Sequence, residues 1–132
     1  MARAKFLGAA VALAGLGTLA YLGLRSSSAP LQAEPPAGAA AEYARAVELA
    51  RDPGDLPRAV EAYRRALALE PSMAEAHYGL GLALLRSGDG EGSAAEIEGA
   101  LSLAPPDAAW RPDAENALVR ALLLRSKERA GK

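Results

Sequence analysis

The sequence predicts an all-α chain: a single transmembrane helix, then a small α-solenoid of two helix-turn-helix repeats closed by a capping helix. Three observations carry this. Residues 6–24, FLGAAVALAGLGTLAYLGL, contain no charge. The remainder repeats itself with a shift of 34 residues, which lays Gly54-Asp55 on Gly88-Asp89, Ala66-Leu67 on Ala100-Leu101, Leu69 on Leu103 and Pro71 on Pro105. Between these matched points the apolar residues keep a helical period, broken by Gly and Pro. A fixed period of this kind marks supersecondary units that stack because one alone cannot bury its apolar face.

The first segment, residues 1–25, is expected to be a membrane anchor. Nineteen helical residues span roughly 28 Å, close to the thickness of a bilayer core. Phe6 and Tyr21 fall near the ends of the run, where interfacial aromatics tend to sit. Arg3 and Lys5 precede it and Arg25 follows it. The positive-inside rule then puts the amino terminus in the cytoplasm and the remainder in the periplasm of an inner membrane. Gly8, Ala12, Gly15 and Gly23 share one helix face, and small residues let a second transmembrane helix approach closely. A cleaved signal peptide is the competing reading, with Leu31-Gln32-Ala33 as its processing site. It would leave a soluble periplasmic adaptor. Residues 26–39, rich in Ser, Pro and Ala, read as a linker.

Beyond residue 25 there are 12 basic and 16 acidic residues, so this part is acidic by four charges. That balance argues against nucleic acid, whose phosphates require a basic patch. The chain has no cysteine and one histidine, His77, so no metal-ligand spacing exists and no cofactor is expected. Ser87 and Ser93 have no base beside them in sequence, and the acids are scattered along helix faces. The chain is read as a non-enzyme. Arginine outnumbers lysine 12 to 3 and alanine is abundant, which suggests a GC-rich bacterial genome.

Residues 40–73 form the first repeat and 74–107 the second. In the first, AAEYARAVELARD is helical and PGD breaks it; LPRAVEAYRRALALE follows, with Pro57 where a first turn tolerates it. In the second, Ser72 is expected as the N-cap and Gly88 as the glycine beyond the helix end. The stretch GDGEG, residues 88–92, is therefore a turn between helices. A phosphate loop needs a preceding strand and a lysine after the glycines, and neither is present. A calcium loop needs about six oxygen ligands, and only Asp89, Glu91 and Glu96 are near.

These units resemble tetratricopeptide repeats. The first-helix signature appears in the second unit as Leu80-Gly81 and Leu84, with His77 at a position that favours Trp. The second-helix signature appears as Ala59, Tyr63, Ala66 and Pro71, and again as Ser93, Ile97, Ala100 and Pro105. Val47 and Ala50 depart from the family pattern, whereas Tyr43 suits the Trp position. The resemblance implies close helix packing at Gly81, Ala66 and Ala100, spacing filled by Tyr63 and Ile97, and a packing role for His77. It also implies a concave groove for a protein partner, lined by Ala44 and Glu48 from the first unit and Tyr78, Leu82 and Leu85 from the second. Ala44, Glu48 and Gly79 stand where a carboxylate-gripping subset of the family has Lys, Asn and Arg. An apolar helix or extended segment is thus the expected guest, unless the C-terminal helix fills the groove itself.

Residues 108–132 form that capping helix, opened by Pro112-Asp113. Ala114, Ala117, Leu118, Ala121 and Leu122 form one stripe, while Val119 and Leu123 fall on another side. This surplus fits either a wide core face or a further contact, with a partner or a second copy of the chain. The whole reads as a membrane-anchored scaffold or accessory subunit of a larger membrane complex, touching the bilayer through residues 6–24.

Overall fold

The computed structural model describes residues 37–132. Among them there are five α-helices and no strand: α1 (Ala37–Leu49), α2 (Leu56–Leu69), α3 (Ala74–Arg86), α4 (Gly90–Leu103) and α5 (Arg111–Ala130). None is long and apolar enough to cross a membrane. The expected anchor at 6–24, with Gly8, Ala12, Gly15 and Gly23, lies outside the described residues.

Helix α1 starts at Ala37, inside the stretch read as linker. Its reason is packing: Ala39 and Ala46 are fully buried, and Tyr43, Val47 and Ala50 follow on the same side against α2. The α1–α2 turn is a short 3₁₀ helix, Pro53–Asp55. The Asp52 carboxylate accepts the Gly54 N–H at 2.8 Å, and Pro57 sits in the first turn of α2.

The N-cap expected at Ser72 is not formed. Helix α3 is preceded by Met73, whose carbonyl accepts from Ala76 and His77, and no side chain caps it. The Ser72 hydroxyl turns back to Glu70 instead. At the other end of α3, Gly88 has φ +86, a left-handed conformation that L side chains rarely adopt. Its N–H bonds to the Leu85 carbonyl and that of Asp89 to Leu84, the paired bonds of a Schellman ending.

Each helix packs on the next in chain order, and α5 also touches α3. The core is built mainly from alanine, which lets the helix backbones come close. One buried cluster joins α1, α2 and α3 through Ala46, Ala59, Tyr63, Ala66, Ala76 and Leu80, among others. A second joins α4 and α5 through Ala94, Ile97, Ala114, Ala117 and Ala121. Two contacts set the spacing. A Cβ on Gly81 would stand 2.5 Å from Ile97 Cγ1, so α3 and α4 meet there without a side chain between them. A Cβ on Gly79 would stand 2.5 Å from the Tyr63 ring, so the first hairpin seats on the second at that point. Ala100 and Ser93 are also fully buried and Leu84 is buried, whereas Pro71 and Pro105 end their helices in exposed turns.

Candidate protein-binding groove

The hollow of interest lies over α3. Leu82 and Leu85 are separated by three residues and Gly79 precedes Leu82 by three, so all three face one side of the helix. Tyr63 from α2 fills the floor beside Gly79, and Ala50 closes the end toward α1. Its volume is about 230 Å³. Arg86, from the last turn of α3, and Arg120, from α5, stand on its rim. An Arg86 N–H donates to the Ala50 carbonyl, tying the ends of α1 and α3 together.

The five residues expected to line a groove are not brought together as a set. Leu82 and Leu85 line the hollow. Tyr78 stacks on Trp110, with ring centroids 5.0 Å apart and planes 11° from parallel. Trp110, Leu118 and Leu122 pack with Tyr78, Leu82 and Leu85 around the buried cluster of Ala94, Ile97, Ala114, Ala117 and Ala121, so the C-terminal segment shares a core with α3. Ala44 and Glu48 are exposed on α1, outside the lining of the hollow, and Glu48 pairs with Arg51 at 3.3 Å. Gly79, which stands at a gripping position of the family, also lines the hollow, whereas Ala50, Arg86 and Arg120 are not legible as groove residues. The spacing of Gly79, Leu82 and Arg86 along one helix face is the signal that points to three of the lining positions; Arg120 carries no local signal.

Three tyrosines are buried or half-buried in the domain. Burial pushes Tyr63 up to about 12, with Tyr43 adding to the shift; their rings are 6.0 Å apart. Burial also raises Tyr43, helped by the Glu75 carboxylate, and raises Tyr78, helped by Asp113. Acid therefore gathers where α3 and α5 begin, and arginine where α3 ends.

His77 is a packing clip. Its Nε2 lies 2.9 Å from the Pro71 carbonyl and its Nδ1 2.7 Å from a Glu96 carboxyl oxygen. The carbonyl only accepts, so Nε2 is the donor in that bond. These bonds fasten α3 to α4 and to the preceding turn.

The GDGEG turn has a second role that the sequence did not reveal. The Asp89 carboxylate accepts the Gly92 N–H at 2.8 Å, an N-cap for α4. Gly90 lies against the backbone of α5: a Cβ there would collide with the Arg125 nitrogen and stand 2.9 Å from the Leu124 carbonyl carbon. The Gly90 N–H is accepted by Glu128 at 3.0 Å, and Glu91 holds Arg129 through both carboxylate oxygens, at 3.1 and 2.8 Å. The first turn of α4, formed by the second half of this stretch, is thus the seat of the capping helix.

A tetratricopeptide repeat family model matches residues 45–108, which spans the end of α1 through α4 and the turn beyond it. No curated protein and no solved structure gives a significant match to the chain.

Proposed function

We propose that this chain, which carries tetratricopeptide repeats over residues 45–108, is a membrane-anchored scaffold or accessory subunit of a larger bacterial membrane complex. Tetratricopeptide repeats are protein-interaction modules, and the observation that supports a docking role here is the open apolar hollow over α3. In this reading the uncharged run 6–24 holds the chain in the inner membrane, with the amino terminus cytoplasmic and the repeats periplasmic. The domain holds a part of its partner outside the bilayer and performs no catalysis. The exposed Val119 and Leu123 on α5 offer a second contact, for the complex or for another copy of the chain.

The tripeptide Leu31-Gln32-Ala33 favours one rival, a soluble periplasmic adaptor released by cleavage after Ala33. The mass of the mature chain and its behaviour on alkaline extraction of membranes separate the two. A full-length chain that stays in the membrane pellet and brings membrane proteins through gentle purification supports the scaffold. A shortened chain in the soluble fraction overturns the anchor.

A further inference from the structure

We propose that the hollow over α3 receives an internal segment of a partner protein in which a bulky apolar side chain lies close to an aspartate or glutamate side chain. This rests on the docking role above and names the chemistry of the guest. The apolar half follows from the floor. Gly79, Leu82 and Leu85 face a space of about 230 Å³ beside Tyr63. That is smaller than the roughly 300–1,000 Å³ of a typical small-molecule pocket, and it suits one side chain inserted from a segment lying across it.

The acidic half follows from the rim. Arg51, Arg58, Arg65, Arg111, Arg125 and Arg129 each lie within ion-pair distance of a carboxylate of this domain. Arg45, Arg64, Arg86 and Arg120 have no such partner among the described residues, and of these four Arg86 and Arg120 border the apolar hollow. Arg86 uses one N–H on Ala50 and keeps the rest of its fork. The negative poles of α1 and α3 end here and oppose an anion. The Arg86 bond to Ala50 offsets one of them, and two full guanidinium charges outweigh such partial charges. Glu75 and Asp113, in the first turns of α3 and α5, stand about two turns or more along those helices from Arg86 and Arg120 and repel an acid. The guest is thereby oriented, its acidic residue toward the ends of α1 and α3.

The test is selection of a phage-displayed random peptide library, shown without a free carboxyl terminus, on the full chain in detergent micelles. The expected winners carry Asp or Glu near a large apolar residue and bind less tightly as salt is raised. Arg86→Glu and Arg120→Glu should each weaken them by about tenfold or more; melting should be unchanged in Arg120→Glu, and lowered in Arg86→Glu, which also loses the bond to Ala50, with the helical signal kept in both. The double reversal should instead enrich Lys- or Arg-bearing peptides. Winners without acids, which lose binding in Leu82→Gln but ignore both arginine reversals, would overturn this proposal and leave the docking role standing. Winners indifferent to Leu82→Gln and to both arginines, or no enrichment at all, would overturn both.

Discussion

The Ser93 hydroxyl donates to the Gly81 carbonyl across 2.7 Å in the buried seam between α3 and α4. The two residues occupy matched small positions of a hairpin, and the bond exists because neither side chain holds the helices apart. Gly81 faces Ile97, which is fully buried and has no room to retreat. Gly81→Leu should therefore cost about 1–3 kcal/mol or more through overpacking. Gly81→Ala should cost less, and combining it with Ile97→Ala should show a favourable coupling, since the second change removes the atom that the first one meets. Thermal melting of the four proteins of this cycle is the measurement. Simple additivity would contradict direct contact.

Gly90 offers a sharper contrast, because its neighbour is backbone. A new methyl there meets the Arg125 nitrogen, which cannot rotate away. Gly90→Ala is expected to lift α5 from its seat and to cost about 1–3 kcal/mol. Gly99, in the same helix, has nothing nearer to its would-be Cβ than the His77 ring nitrogen at 3.8 Å. Gly99→Ala should be stabilising by up to about 1 kcal/mol, the ordinary helix preference for alanine. Hydrogen exchange of α5 amides should accelerate in the first variant and not in the second.

These glycines show what a local pattern reveals and what it hides. The 34-residue period was visible because Ala66 and Ala100, and Pro71 and Pro105, answer the same packing need in each hairpin. Gly81 was legible for the same reason. Gly79 and Gly90 serve contacts with residues far along the chain, Tyr63 and Arg125, and nothing nearby in sequence records the partner. The site follows the same division: Leu82 and Leu85 come from the resemblance to tetratricopeptide repeats, whereas Arg120 reaches the hollow only through the docking of α5. Trp110 lies outside the repeat pattern altogether, and its stacking on Tyr78 depends on the path of the chain after Pro105-Pro106. Ser72 misled because its hydroxyl had a nearer acceptor in Glu70.

The polar clasp of α5 should divide unequally. Glu128 accepts a backbone N–H in the first turn of α4, a partly buried bond at the positive pole of a helix. Glu128→Ala should cost about 1 kcal/mol, as loss of a helix cap does. The Glu91–Arg129 pair is about two-thirds exposed on both sides, 60% and 66%. Arg129→Ala should then cost no more than about 0.5 kcal/mol, and less at high salt. Urea denaturation at two ionic strengths distinguishes them. Equal losses would mean that the surface ion pair, and not the capped N–H, holds the helix.

Tyr63 predicts an alkaline limit to stability. Its proton is held up to about 12 in the folded chain, against an ordinary value of 10.0. The folded state binds this proton more tightly than the unfolded state, so the stabilisation is complete below pH 10 and is lost as pH rises toward 12. Tyr63→Phe keeps the ring against Gly79 and removes the proton. Its stability relative to the parent should be constant up to about pH 10 and should then improve as pH rises further. Denaturation of both proteins at pH 9 and pH 11.5 reads the difference directly. A parallel fall of the two would assign the alkaline loss to other groups, Tyr43 and Tyr78 first, whose protons are also held by burial.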